Sequence, residues 1–283
     1  MLDTRQYESN PDFNLSLARG LAVIEAFEDR PDGVTVADVA ERTGVTRASV
    51  RRALITLKLL GYASQTGPVY RLNGRILRVG FSYLSSQPLS ILAAPVLEEI
   101  TATIHESSSL SILDGDEILY LARSATKRVM GVGLVVGSRL PVYCSSMGRV
   151  LLANLPEADI QAYLQRVELK PHTTRTITDP VVLAAELRKV KQQGYSLVDE
   201  ELEEGLRSLA VPVTRREGQV VASINTGVHA SRVTAAELID RFLPVLRRAA
   251  ASIKQSLIEA KTSFGLSIYI AVITHMFELF ARL

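Results

Sequence analysis

The sequence predicts an α+β chain: an N-terminal winged helix-turn-helix, mostly α-helical, is joined by a linker helix to an α/β domain of the sensor type. Three observations predict it. A short helix, a turn containing Gly44 and a longer helix follow one another between Val36 and Leu60. The stretch from Arg42 to Leu97, fifty-six residues, holds eight bases and no Asp or Glu. After Pro88 the pattern changes to alternating strand-like and helix-like runs. A length of 283 residues suits roughly two domains of about 100–200 residues each. The expected division is a tail over 1–14, the winged helix-turn-helix over 15–72, the linker helix over 73–88, the α/β domain over 89–260 and an apolar tail over 261–283.

Taken in order, LSLARGLAVIEAFED (15–29) places Leu17, Leu21, Ile24 and Ala26/Phe27 at helical spacing. After the Pro31-Asp32-Gly33 turn, Thr35-Val-Ala-Asp38 is a Thr-x-x-acid pattern that caps a helix N-terminus. That helix buries Val36, Val39 and Ala40 and ends at Gly44. Thr46 is the natural N-cap of the next one, Arg47 to Leu60, with Val50, Ala53, Leu54 and Leu57 on its buried face.

A helical wheel separates two kinds of residue on this second helix. At about 100° per residue the apolar stripe lies within about 240–340° of Arg47, while Arg47, Arg51 and Lys58 lie at about 0–40° and Arg52 at about 140°. In a helix-turn-helix the start of this helix enters the major groove. Arginines there reach phosphates or grip guanine, and Thr46 and Ser49 contact phosphates or base edges. A solvated basic face is the competing reading, but such a face usually mixes both signs. Double-stranded DNA is therefore the expected partner. Tyr62 to Leu72 reads as a hairpin turning at Gly67-Pro68, a wing from which Tyr70 and Arg71 touch the DNA backbone. Arg75 to Leu84 reads as the linker helix, ending in Ser85-Ser86-Gln87-Pro88.

Beyond it, helices are expected at 95–105, 145–153, 156–166, 179–193 and 235–259. Strands are expected at 110–113, 117–123, 129–136, 195–199, 207–214 and 219–227, forming one mixed or antiparallel sheet. Ser145 and Ser146 open a helix, where free N–H groups and hydroxyls favour an anion such as a carboxylate. Arg149, one turn in, adds a charged hydrogen bond to that anion or pairs with an acid structurally.

Composition narrows the chemistry. Hydrophobic residues make up 47% and charged residues 22%, as in a core-forming soluble chain, and the net charge is only +2. The single cysteine, Cys144, rules out an internal disulfide or a multi-cysteine metal site. It reads as a small buried residue. Four histidines, His105, His172, His229 and His275, share no metal-ligand spacing, so no metal is expected. Gly131-Val-Gly133-Leu-Val-Val-Gly137 has one residue too many for a dinucleotide fingerprint, and neither G-x-S-x-G nor H-E-x-x-H occurs, so no cofactor and no catalytic residue are expected. Asp199 to Glu204, five acids in six positions, reads as a solvated loop rather than a cation site.

Several long segments in order resemble the IclR-type transcription regulators, with the flavour of the PcaR/PcaU/PobR branch that governs aromatic-acid breakdown through the β-ketoadipate pathway. They are SLARGLAVIEAF, TVADVAERTGVTRASVRRALITLKLLGY, RILRVGFSYLSSQPL, LPVYCSSMGRVLLANL and GYSLVDEELEEGLRSLAVPV, spread over residues 14–258. The resemblance implies a GAF-like effector-binding domain after the winged helix-turn-helix, and a homodimer or dimer of dimers on a palindromic operator. It places the effector, an aromatic or dicarboxylic acid, among Val129, Leu140, Ser146, Met147, Ser208, Asn225 and Gly227, with Asp199 nearby. Some relatives carry a small hydroxyl residue where this chain has Asn225 and, two residues on, Gly227.

The rival class is a metabolite-binding protein or small-molecule enzyme whose N-terminal module only mediates assembly. The opening MLDTRQYESNPDF lacks a basic region followed by an apolar stretch, so a cytoplasmic protein is expected. The tail FGLSIYIAVITHMFELFARL (264–283) is near the lower limit of a membrane span, but His275 and Glu278 within it favour an amphipathic or oligomerising helix over an anchor.

Overall fold

A computed structural model describes residue 7 and residues 10–28, 30–86, 88–126 and 134–259. The chain divides into two compact units, Met1–Leu84 and Ser85–Leu283. In the first, α1 (Leu15–Glu25), α2 (Val36–Thr43) and α3 (Arg47–Leu59) precede a hairpin of β1 (Ala63–Thr66) and β2 (Val69–Leu72), and α4 (Leu77–Ser86) follows.

Local chemistry fixes the start of each helix. The Asn14 side chain accepts the Leu17 N–H at 3.0 Å. Thr35 and Asp38 form a complete capping box: Thr35 Oγ1 accepts the Asp38 N–H at 3.3 Å, and Asp38 Oδ2 accepts the Thr35 N–H at 2.8 Å. Those bonds hold the Asp38 carboxyl below the usual carboxylate range. Gly44, at φ 70°, ends α2 in the left-handed region, and two residues later Thr46 caps α3.

Val39, Val50 and Leu54 form the centre of this core with Val23, Ala26 and Phe27. Of the apolar positions its spacing picks out, Ala26 and Phe27 are buried and Ile24 is half-buried, but Leu17 and Leu21 face outward. Ala18 and Val23 are buried, whereas Leu17 and Leu21 are 62% and 47% exposed. The helix is apolar on two sides, and it is Val23, with Ala26 and Phe27 just beyond its end, that joins the core shared with Val50 and Leu54 of α3. The wing also gains a third short strand, because Val34 and Tyr70 exchange two backbone hydrogen bonds of 2.9 and 2.8 Å.

The second unit opens with α5 (Pro88–Ile104), seven residues earlier than expected. Pro88 at the first helical position has no intrahelical N–H bond to lose, and Pro95 inside the helix removes only one. Next come β3 (Ser108–Asp114), β4 (Glu117–Ser124), β5 (Arg139–Pro141), α6 (Ser146–Ala153), α7 (Glu157–Arg166), α8 (Pro180–Gln193), β6 (Ser196–Asp199), β7 (Leu206–Thr214) and β8 (Val220–His229). A last helix, α9, covers 235–259 and passes through a π-helical stretch, Leu238–Phe242. Of the strand expected over 129–136, residues 129–133 lie outside the described residues, and 134–136 are loop and turn. The apolar tail 264–283 also lies outside them. Among the described residues no helix is long and apolar enough to cross a membrane.

The six strands form one antiparallel sheet in the order β5-β4-β3-β8-β7-β6. Ser108 and Ser111 of β3 identify its two faces. Ser108 Oγ donates to the Leu97 carbonyl of α5 at 2.8 Å, while Ser111 Oγ meets Met147 Sδ of α6 at 3.2 Å. All eight residues of α6 are buried between the sheet and α8. Gly148 makes that fit possible: a Cβ there would collide with the Val142 carbonyl oxygen and with Ser145 Oγ. Gly148→Ala is therefore expected to destabilise the second unit by about 1–3 kcal/mol through overpacking. Urea denaturation checks this, and an unchanged midpoint would contradict the close approach.

Candidate functional site

Two places bring candidate residues together. On α3, Arg47, Arg51 and Arg52 are exposed, and among the described residues no side chain pairs with them. Thr46 and Ser49 are partly engaged with each other: Thr46 Oγ1 donates to Ser49 Oγ at 3.1 Å and accepts the Ser49 N–H at 3.4 Å. Lys58 donates to Gln65 of β1 at 3.0 Å and so steadies the wing against α3. Arg75 braces its base, donating to the Leu60 carbonyl at 2.6 Å with its guanidinium 5.0 Å from the Tyr62 ring. Arg71 is exposed on β2. Tyr70 is not. It is 4% exposed and packs in the core, because successive strand residues face opposite ways and Tyr70 is the inward one. It is removed from the expected DNA-contacting surface.

The second place is a pocket between the sheet, the N-terminus of α6 and the 202–206 segment. Its empty space, counted together with the open mouth, is about 710 Å³. Leu140, Ser145, Ser146, Met147, Ser208, Asn225 and Gly227 all line it, as their expected roles require. Val129 lies outside the described residues. Ser145 Oγ is already engaged, accepting the Gly148 N–H at 3.3 Å and donating to the Pro141 carbonyl at 2.7 Å. Ser146 Oγ is buried and has no hydrogen-bond partner among the described residues.

The pocket also contains residues that the sequence reading missed. Register places Arg123 of β4 opposite Ser109 of β3, and Ser109 opposite Asn225 of β8. Arg123 Nη1 donates to Ser109 Oγ at 2.9 Å, and its Nε is buried without a partner. Burial lowers the pKa of this guanidinium, an effect that Tyr120 opposes. Tyr120 lines the same pocket, and burial pushes its hydroxyl up to about 12, which keeps it a hydrogen-bond donor at neutral pH. Tyr120 and Arg123 are an odd number of residues apart, yet both reach one face. Leu110 pairs with Ala122 but Ser111 pairs with Tyr120, so the ladder skips Leu121 and the bulge reverses the alternation. The one legible hint was a lone arginine within the apolar run EILYLARS.

Arg149 and Asp199 do not line the pocket. Arg149 is 1% exposed and engaged structurally: its two Nη atoms each meet Glu201 at 2.6 Å, and its Nε donates to the Tyr143 carbonyl at 2.7 Å. Glu201 also accepts the Ile177 N–H at 3.1 Å, and Thr173 and Thr176 donate to the Glu200 and Glu201 carbonyls at 2.6 Å. These bonds hold Leu202 and Glu203 in the pocket wall. Asp199 pairs instead with Arg207 at 2.7 Å and Arg175 at 3.2 Å. Cys144 is buried, and desolvation pushes its thiol up to about 12. Removing the carboxylate in Glu201→Ala would leave Arg149 buried and uncompensated, at an expected cost of about 3–5 kcal/mol. Equilibrium unfolding measures it, and a loss below about 1 kcal/mol would contradict this role.

Known proteins resemble the chain in both units. The IclR helix-turn-helix domain matches residues 16–67, and the bacterial transcriptional regulator IclR C-terminal domain matches residues 81–255. The Pca regulon regulatory protein of Pseudomonas putida is 50% identical over 241 residues, 85% of this chain and 83% of the relative. The crystal structure of a transcriptional regulator from Rhodococcus sp. RHA1 is 44% identical, with a TM-score of 0.79 over 88% of this chain and 100% of the other. The inducer-binding domain of the PobR transcription factor from Acinetobacter, solved as a double mutant in complex with 3-hydroxybenzoic acid, is 33% identical, with a TM-score of 0.57 over 59% of this chain and 98% of the other. With both domains matched in order along most of its length, the chain belongs to the IclR family of transcription regulators, which join a DNA-binding helix-turn-helix to a domain for a small-molecule effector.

Proposed function

We propose that the chain controls genes of aromatic-acid catabolism, binding its operator through α3 and the wing, and that an organic acid in the C-terminal pocket sets its operator affinity. The observation that carries this reading is the division of labour between units. One unit displays an exposed arginine face, and the other holds a polar pocket with unengaged donors. The named functions of the similar proteins supply the class of effector, an aromatic acid or a metabolite of its breakdown. On α3, Thr46, Arg47, Ser49, Arg51 and Arg52 face base edges and phosphates, while Lys58 and Arg71 contact the backbone from the side of the wing.

The working unit is a homodimer or a dimer of dimers in the cytoplasm. Leu17 and Leu21 on α1, with Leu77 and Val79 on α4, leave apolar surface in the N-terminal unit for such pairing. An acid changes operator affinity only as far as it binds the two arrangements of the assembly unequally.

The test is binding of the full chain to the DNA upstream of its own gene across a salt series, with and without a panel of aromatic acids. Affinity that falls steeply with salt and shifts with one acid is expected. Absence of specific binding would contradict the proposal. Arg51→Ala is expected to weaken operator binding by about 1–3 kcal/mol if that side chain reads a base. Unchanged affinity in the folded variant would remove Arg51 from the interface.

A further inference from the structure

We infer that Arg123 fixes the anionic group of the effector, on the sheet row Arg123–Ser109–Asn225, rather than the N-terminus of α6 fixing it. The inference rests on the effector being an organic acid, as proposed above, and adds where its charge sits. Around the pocket, the other guanidiniums are already matched: Arg149 to Glu201, Arg207 to Asp199 at 2.7 Å and Arg232 to Glu106 at 3.0 Å. Arg123 is the pocket-lining cation for which no carboxylate partner exists among the described residues. Glu203, also on the wall, makes no ion pair with it.

One edge of the guanidinium is held by Ser109 Oγ, which leaves the buried Nε and the remaining nitrogen for a carboxylate. A desolvated cation with an unmade hydrogen bond is unfavourable until an anion arrives. Ser146 Oγ, 1% exposed and also without a partner, donates from the α6 side of the same pocket. The Ser145 hydroxyl already occupies the Gly148 N–H, so the α6 terminus offers one donor fewer than an uncapped helix.

Arg123 is thus a specificity-determining residue, and its signature is discrimination between an acid and the corresponding neutral amide. The experiment is calorimetric titration of the full chain with benzoate, 3-hydroxybenzoate, 4-hydroxybenzoate, protocatechuate and adipate, each beside its amide, for wild type, Arg123→Gln and Arg123→Lys. Wild type is expected to prefer at least one acid over its amide by at least about thirtyfold. Arg123→Gln is expected to abolish that preference by weakening the acid and sparing the amide. Arg123→Lys, which keeps the charge but not the fork, is expected to fall between them. Should the Gln variant fail to fold, the Lys variant decides the matter. A wild-type acid-over-amide ratio in the folded Gln variant, or in the Lys variant if only that one folds, would overturn the role of Arg123 while leaving the organic-acid effector intact. A wild type that binds none of the acids would overturn both.

Discussion

The buried pair between Arg149 and Glu201 is the constraint on which the effector domain depends. A guanidinium with 1% of its surface exposed is stable only with its charge matched and its donors engaged. Arg149 sits in the first turn of α6, a helix with no exposed residue, so the matching carboxylate has to come from elsewhere in the chain. Glu201 supplies it from fifty-two residues further on. In doing so it draws the segment after β6 over the sheet, where Thr173 and Thr176 fasten its carbonyls. Leu202, Glu203 and Leu206 then become one wall of the pocket, and the first turn of α6 becomes another. The cavity is a consequence of satisfying one buried charge.

The two units use arginine in opposite ways. On α3 the side chains are exposed and unmatched, which keeps them available to phosphates and base edges and makes binding sensitive to salt. In the pocket Arg123 is partly desolvated, so an anion bound there is screened little by salt. With the effector's anion on Arg123, as inferred above, its hold in one unit is local, while the DNA contact proposed for the other is tuned by ionic strength. The two are linked only through the difference in effector affinity between DNA-bound and free arrangements.

The helix-turn-helix was almost wholly legible because its chemistry is local. Thr35 and Asp38 lie three residues apart, Gly44 marks the turn, and the wheel separates Val50 and Leu54 from Arg47 and Arg51. Tyr70 was misplaced because a two-residue alternation does not say which residue faces in until Val34 joins the wing. In the effector domain, segments and order were readable, and family resemblance placed Ser146, Ser208, Asn225 and Gly227 in the pocket. Arg149 kept two readings open, since a partner so far along the chain leaves no local signature. Arg123 stayed hidden because its inward direction depends on a bulge at Leu121, and no residue there announces the skipped pairing.

The central claim is that pocket and operator are coupled, and reciprocity tests it most directly. The acid that the protein alone binds most tightly would be titrated calorimetrically into the protein alone and into the protein saturated with operator DNA. The account predicts that its affinity differs between the two by the same factor by which it alters operator binding. Equal affinity in the two titrations would mean that the pocket does not report to the DNA-binding unit, and the account would be wrong.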